Sequence, residues 1–521
     1  MGRNSNDAER NDGTDKTVVM AHALSKSSFI RGVQCKKSLY LYKHNYKLRD
    51  AISPSQQALF SRGINVGKIA QDIFPGGVDV TPESVFKYSA SVEKTRKLIE
   101  EGTEIIYEAA FIFNDVLAAV DMLVKRDGTW FAYEVKSSTR VSDVYRLDAS
   151  LQYYVITNAG IALADFSILH LNNQYVKKGK IEPEKLFTAV SLLSECEKNQ
   201  AMIAEKVREL KEVSFLSSVP DIKIGKHCFE PYACDFMGQC WKNVPQNSVF
   251  ELAGMSKEKQ FELYDSGIVK ISDVPADYSL EKNQRIQVDA TNTGKELVNK
   301  TEITKFLSRV NYPLYFFDIE TFMPAVPMFD GTSPFQHIPF QYSLHYKKTK
   351  DATLQHVEFL AEAGADPRKE FITHFLENTK EAACILVYNR TFESSVIARL
   401  GNDFPELKPE IEKRLSVMID LMEPFQKRHY YHPLMKGSHS IKNVLPALFP
   451  DFNHKDLAIS EGTMAMAAFE QLQTENDIFK IAELRDNLLE YCKLDTLAMV
   501  KIFEFLEKNL RLFPSPSERA G

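Results

Sequence analysis

No run of about 18 consecutive apolar residues, the length a membrane-spanning helix needs, occurs in the 521-residue chain. The opening stretch MGRNSNDAERNDGTDKT is polar and lacks the apolar segment a secretory leader requires. Positive charge is not in excess. Lys and Arg number 64 against 70 Asp and Glu, a net charge of −6, so no global field draws the protein toward nucleic acid. Cysteine is scarce, seven in all, and no two form the C-x2-4-C pair usual for zinc ligands. Neither an internal repeat nor an extended low-complexity segment interrupts the chain past its first 20 residues, which are expected to be a disordered tail. These absences predict a cytoplasmic protein with no membrane partner. In that reducing setting, clustered cysteines predict metal rather than disulfides.

At roughly 100–200 residues per domain, the length predicts about three domains. The first is read over 21–245. It is helix-rich at the start (FSRGINVGKIAQDIF), then carries three strand-like runs, EIIYEAAFIF, VLAAVDMLVK and WFAYEVKSS. RDGT separates the last two, and Asp-Gly between apolar runs signals a hairpin. Helices are expected near 147–160 and over 182–212. A polar, helical connector follows over 246–305. The third domain, 306–513, opens on the strand PLYFFDIETF. It continues through the strands FQYSLHYKK and ACILVYN with a helix near 367–380 between them, a pattern that implies an α/β domain.

Two constellations carry chemistry. In the first, Asp121 precedes Glu134 by thirteen residues, and Lys136 shares a strand face with Glu134. The hairpin lays the Asp121 strand beside that pair. Hard divalent cations take carboxylate oxygen, polarise phosphodiesters and acidify water, and a nearby lysine stabilises developing negative charge. The bland alternative is a surface hairpin with ordinary charges. In the second, Asp318 and Glu320 lie two apart on an apolar strand, a costly use of charge unless a metal compensates it. Downstream, Tyr491 and Asp495 stack at i and i+4 on an amphipathic helix, and Asn389 and Glu393 mark a strand-to-helix passage between the two.

The first constellation, VDMLVKRDGTWFAYEVKSST, resembles the core of PD-(D/E)XK nucleases of the RecB-like branch. The resemblance implies Asp121 and Glu134 as metal ligands and Lys136 as the catalytic lysine. Gln152, in DASLQYYV, is similar to that branch's QxxxY motif, although Ile156 stands where the tyrosine is expected and the tyrosines are Tyr153 and Tyr154. The branch's metal-binding histidine on an early helix is missing, for RGINVGKIA places Gly67 there. Glu108 is a possible substitute carboxylate.

The segment HCFEPYACDFMGQCW holds Cys228, Cys234 and Cys240. Some RecB-like nucleases carry a [4Fe–4S] cluster on one cysteine before the core and three after it. Cys35 before the core completes that pattern here, with C-x5-C-x5-C in place of the common C-x2-C-x5-C. Four thiolates suit a cluster or Zn2+, with His227 available to a mixed site, and the topology favours the cluster. Cys196, Cys384 and Cys492 read as core residues. Near Cys35, the stretch CKKSLYLYKHNYKLR interleaves cations with tyrosines, so Lys36, Lys37 and Lys43 are candidates for nucleic-acid backbone contact. Its bland alternative is a solvated helix face.

The second constellation resembles the DnaQ-like 3′–5′ exonucleases of the RNase H-like fold, in their DEDDy variety. The resemblance implies Asp318, Glu320, Glu393 and Asp495 as ligands of two Mg2+ or Mn2+ ions about 4 Å apart, with Tyr491 orienting water. Glu393 stands where the pattern has Asp. Asn389 is a candidate nucleic-acid contact. MIDLMEPF, with Asp420, and GSHSIKNVLPALFP, with His439 and Lys442, are similar to exonuclease helices; Asp420 reads as a strand-end or turn residue and Lys442 as a phosphate contact, neither as catalytic. The whole chain past residue 25 is similar to a bacterial family that fuses a cysteine-bearing RecB-like module to a DnaQ-like domain. The implied fold class is α/β multidomain, a restriction-endonuclease-like N-terminal domain and an RNase H-like C-terminal domain joined by a small helical connector. The implied function is a metal-dependent nuclease acting on DNA, with RNA as the other substrate. The competing function is a nucleic-acid-binding protein whose nuclease sites are inactive.

Overall fold

The computed structural model describes residues 24–52, 63, 65–84, 87–452 and 457–511, with side chains to 508. The expected tail lies outside the described residues, as do parts of the early helical run near residue 60.

The N-terminal sheet has seven strands: β1 (Leu24–Ser25), β2 (Val78–Asp79), β3 (Ile105–Phe113), β4 (Val116–Arg126), β5 (Thr129–Lys136), β6 (Leu163–Leu171) and β7 (Phe187–Ser191). Their order is β2-β3-β4-β5-β6-β7, with β1 laid parallel along the start of β4. The β4–β5 turn puts Asp127 and Gly128 at φ of 48° and 79°, the left-handed pair that a two-residue hairpin demands. Helix Asp143–Asn158 carries the chain from β5 to β6, which run parallel. With helix Leu193–Ser214 it buries Leu151, Val155, Ile203, Val207 and Leu210 in one core. The helical reading around 182–212 holds from Leu193 and is corrected before it. Pro183–Leu186 is a short helical turn, and Phe187–Ser191 pairs antiparallel with β6 before the helix begins. An open sheet edge overrode a stretch with adequate helix propensity.

The connector is helical, with helices Lys257–Asp265 and Lys282–Thr293 around a small core of Val249, Leu252, Leu263, Ile271, Val274 and Val288. It ends in β8 (Leu297–Val298), which pairs with β14 (Tyr430–Tyr431).

The second large sheet contains β9 (Leu314–Phe322), β10 (Ile338–Lys347), β11 (Gln355–Leu360), β12 (Cys384–Val387) and β13 (Met418–Asp420). Its order is β11-β10-β9-β12-β13. β10 and β11 run antiparallel to their neighbours, whereas β12 and β13 are parallel. Central β9 alternates cleanly. Tyr315, Phe317 and Ile319 face one helical layer, and Leu314 and Phe316 the other. Asp318 and Glu320 continue the second row, toward helix Ile478–Arg511, whose 34 residues span about 50 Å. β11 was not anticipated, and the three-residue β13 ends at Asp420. No described helix is long and apolar enough to cross a membrane.

Candidate active sites and the cysteine cluster

At the C-terminal site, β9 supplies Asp318 and Glu320, and helix Ile478–Arg511 supplies Asp495. One oxygen from each lies within 4.8 Å of the others. Glu393, in the first turn of helix Arg390–Asp403, is 3% exposed and near enough to Asp318 to disfavour its ionisation. Its Oε2 is buried without a hydrogen-bond partner. Burial first, then neighbouring carboxylates, raises Asp318, Glu320 and Glu393. Glu320 is pushed up to about 8 by burial and Asp495, Glu393 to about 8 by burial, and Asp318 well above its ordinary range. The Tyr491 phenol, buried beside three of these carboxylates, is held protonated far beyond its usual range. Cys492 is a core residue as expected, yet its Sγ also stands 3.9 Å from Asp318 Oδ2. A Cβ added at Gly462 would stand 3.5 Å from Glu320 Oε2, so this carboxylate lies against the first turn of helix Gly462–Leu472.

Asp420, read from sequence as a strand-end residue, has a definite role. It accepts the backbone N–H groups of Asn389 (3.2 Å) and Arg390 (2.9 Å) and also that of Met422 (2.9 Å). Asn389, at φ 99°, offers no capping bond of its own to the helix that carries Glu393, so Asp420 caps it from β13. Asp420→Ala is expected to cost about 1–2 kcal/mol in urea unfolding and to lower activity at this site, because Glu393 loses its anchor. The side chains of Asn389, Arg390 and Lys442 are exposed at the rim, and Lys442 is close enough to Glu320 to favour its charge. His439 lends its carbonyl to Tyr388 Oη (2.9 Å).

In the N-terminal sheet, the register places three carboxylates on one row. β3 and β4 pair at Tyr107↔Met122 and Ala109↔Val120, so Glu108 faces Asp121. β4 and β5 pair at Met122↔Tyr133, so the next rung sets Asp121 against Glu134. The strands part there, and Asp121 Oδ2 accepts the N–H of Val135 at 2.5 Å. Glu134 is 2% exposed. Its Oε1 accepts Lys136 Nζ (2.7 Å) and Lys26 Nζ (2.6 Å), while Oε2 is buried without a partner. Lys136 also donates to Asp148 Oδ2 (2.7 Å). Although burial disfavours its charge, Glu134 and Asp148 hold Lys136 well above its ordinary pKa, so it is a charged donor and not a base. Glu134 is likewise lowered to about 2 against its burial, by Lys136 and Lys26. Asp121 moves the opposite way, raised by burial and by Glu134, and Glu108 rises to about 7 for the same reasons.

Gln152 does not touch the carboxylate row. It is fully buried and donates to Asp148 (3.3 Å), so it reaches Lys136 through that residue. A side chain at Gly67 would meet open space. Lys26 carried no sequence signal, because only the pairing of two-residue β1 with distant β4 brings it here.

The four cysteines line one pocket, together with Lys37, Ser38 and Phe236. Cys35 interrupts helices Lys26–Gln34 and Lys36–His44 with an extended backbone (φ −160°, ψ 114°). The later segment is fastened to these helices independently of any metal. Arg31 and Arg49 both grip Asp235, with Arg31 Nη2 at 2.9 Å, and Gln34 Nε2 donates to the carbonyls of His227 (2.8 Å) and Tyr232 (2.7 Å). Burial, and to a lesser degree the neighbouring thiols, raises the Cys35 and Cys240 thiols above their ordinary range. No three of these sulfurs lie within 4.8 Å of one another. A tetrahedral zinc with Zn–S near 2.3 Å would draw them to about 3.8 Å.

The basic patch is largely engaged. Lys36 pairs with Glu209 and Lys37 donates to the Ile222 carbonyl (3.1 Å). Lys43 is partly buried, with a pKa lowered by desolvation. Tyr40 is buried, and Tyr42 lies under the Arg31 guanidinium at 4.6 Å.

Residues 315–440 match the model of a family described as a domain of unknown function, DUF2779. The matched span includes Asp318, Glu320, Glu393 and Asp420 and stops short of Tyr491 and Asp495. No curated protein matches the chain.

Proposed function

We propose that this chain is a metal-dependent nuclease. Its main centre is the C-terminal acidic cluster, which removes nucleotides from 3′ ends of DNA. The observation that carries the reading is the convergence of Asp318, Glu320 and Asp495 within 4.8 Å, with the unpaired Glu393 Oε2 beside them. Buried carboxylates so crowded are costly unless cations neutralise them, and an all-oxygen donor set fits Mg2+ or Mn2+. The strand order β11-β10-β9-β12-β13, with the first two antiparallel and the last two parallel, is the order an RNase H-like domain requires. Bound divalent ions would polarise the phosphodiester and lower the pKa of water. Tyr491, kept protonated, would orient the attacking water. The exposed Asn389, Arg390 and Lys442 at the rim would meet the strand's phosphates.

The N-terminal sheet is proposed as a second phosphodiester-cleaving centre of the PD-(D/E)XK type. Asp121 and Glu134 are its ligands, and Lys136 is held charged to stabilise the developing negative charge. The four cysteines are proposed to bind a [4Fe–4S] cluster, with zinc as the competing occupant, since all four line one pocket and four thiolates suit either.

The reading is tested on end-labelled single- and double-stranded DNA with Mg2+ or Mn2+. Lys136→Met is expected to remove cleavage by the N-terminal centre and spare 3′-end trimming, whereas Asp318→Asn does the reverse. If Lys136→Met leaves every product unchanged, the N-terminal centre is not an active nuclease. Binding without turnover by the wild type would turn the protein into a nucleic-acid clamp.

A further inference from the structure

β9 and β10 are antiparallel neighbours, a pair that a two-residue turn suffices to join. Residues 323–337 join them instead, and this loop leaves its own sheet for the N-terminal one. Ala325 is buried in an apolar cluster with Tyr133, Leu169, Leu171 and Tyr175, and Phe335 packs against that cluster. The loop also pairs with the chain that leaves β6. Lys177 N donates to Thr332 O (3.0 Å) and Gly331 N to Lys177 O (2.9 Å). Asp330 Oδ1 accepts Lys177 Nζ (2.8 Å) and the N–H of Gly179 (3.0 Å). Arg368 donates to the Asp330 carbonyl (2.7 Å), so the loop is fastened to both domains.

The same loop ends at the C-terminal centre. His337, its last residue, holds Thr321 Oγ1 at 2.9 Å through Nδ1. Its ring meets that of Phe392 at 81°, with centroids 5.2 Å apart. Thr321 follows Glu320 on β9, and Phe392 precedes Glu393 on helix Arg390–Asp403. His337 therefore touches the neighbours of two of the carboxylates. Thr321 is buried whereas His337 is exposed, and Nε2 has no partner among the described residues. A threonine hydroxyl that donates to Nδ1 leaves the ring hydrogen on Nε2, because the bond at one ring nitrogen sets the state of the other.

We propose that His337 is a substrate contact of the C-terminal centre, its Nε2–H donating to a phosphate oxygen of the bound strand, and that the N-terminal domain holds it there through residues 323–337. This rests on reading the centre as a nuclease. It goes beyond that reading by giving the N-terminal domain a part in end trimming that needs none of its own carboxylates. An N–H donated to an ionised oxygen is about twice as strong as a neutral pair, so one well-held donor is worth a measurable share of binding.

The experiment measures steady-state trimming of single-stranded DNA by the full chain with Mn2+, in a Lys136→Met background so that only the C-terminal centre acts. Two amides divide the imidazole: Asn puts its nitrogen near the place of Nδ1, and Gln near that of Nε2. His337→Asn is expected to raise KM by about tenfold and leave kcat within about twofold. The loss should be equal for every 3′-terminal base, since a phosphate contact reads no sequence. His337→Gln is expected to recover most of it. Phe335→Ala is expected to raise KM in the same sense, and the double variant to be no worse than His337→Asn alone. Asp330→Ala, at a side chain 66% exposed, loosens the loop without opening a core and is expected to act likewise but more weakly. Unchanged KM in His337→Asn, with trimming abolished by Asp318→Asn, would overturn the contact and leave the nuclease reading standing. Additive losses in the double variant, or unchanged KM in both loop variants, would overturn the part given to the N-terminal domain. No trimming by the parent would sink the nuclease reading and this contact with it.

Discussion

Asp318→Asn is expected to cut 3′-end trimming by at least about 10³-fold, beyond the 10–100-fold that a change behind the ligands usually costs. The amide keeps the size of the carboxylate and one of its acceptors but loses the charge at the centre of the cluster. The same substitution is expected to raise the melting temperature of the metal-free protein. Burial, with repulsion from Asp495, Glu320 and Glu393, holds Asp318 well above its ordinary pKa, so a neutral side chain relieves the folded state. Calorimetry without metal checks this half, and a fall in melting temperature would refute the repulsion argument. A pH dependence follows with a definite sign. Glu320 and Glu393 rise from 4.5 to about 8 on folding, so between those values the folded chain keeps protons that the unfolded chain has released. Metal-free stability therefore falls as pH rises through that window. Cations that replace those protons restore it, so the stabilisation by Mg2+ should grow from pH 5 to pH 8.

Cys35→Ser is expected to abolish the visible absorbance of the proposed cluster as completely as Cys234→Ser does. Cys35 lies in the first described turns of the chain, while the other three ligands follow the whole sheet. A structural metal site returns on the order of 10 kcal/mol of folding free energy. Loss of one ligand should therefore destabilise the N-terminal half strongly and leave 3′-end trimming in place. Iron analysis, visible absorbance and two-probe unfolding measure this, with Cys196→Ala as the control, since that thiol is buried in the helical core. Full iron content in Cys35→Ser would reject the four-cysteine set. A colourless wild type with one zinc would replace the cluster with zinc.

What was legible in the sequence was local. Asp318 and Glu320 declared themselves through strand alternation, Tyr491 and Asp495 through helical spacing, and the β4–β5 hairpin through Asp-Gly. These signals depend on a few neighbouring residues. What stayed hidden depends on distant pairing. Lys26 reaches Glu134 only because two residues of β1 dock on β4. Asp420 becomes a helix cap only because β13 ends beside Asn389. Phe187–Ser191 is a strand because β6 offers an edge. Composition could not say that Lys36 and Lys37 are already engaged by Glu209 and Ile222. Cys35 was found from its position relative to the core, a pattern that survives without any short motif around it.

The cysteine pocket also sets a timetable. Its first cysteine leaves the ribosome about 200 residues before its last, a lag of about 10–40 s at ordinary elongation rates. Through that interval the Cys35 helices are made but the segment that fastens them is not. A metal proposed to sit on all four thiols would load only once Cys240 has emerged. The N-terminal sheet must therefore be synthesised whole before it can be closed, and a ribosome that stalls within it leaves a chain with one orphaned thiol and no clasp.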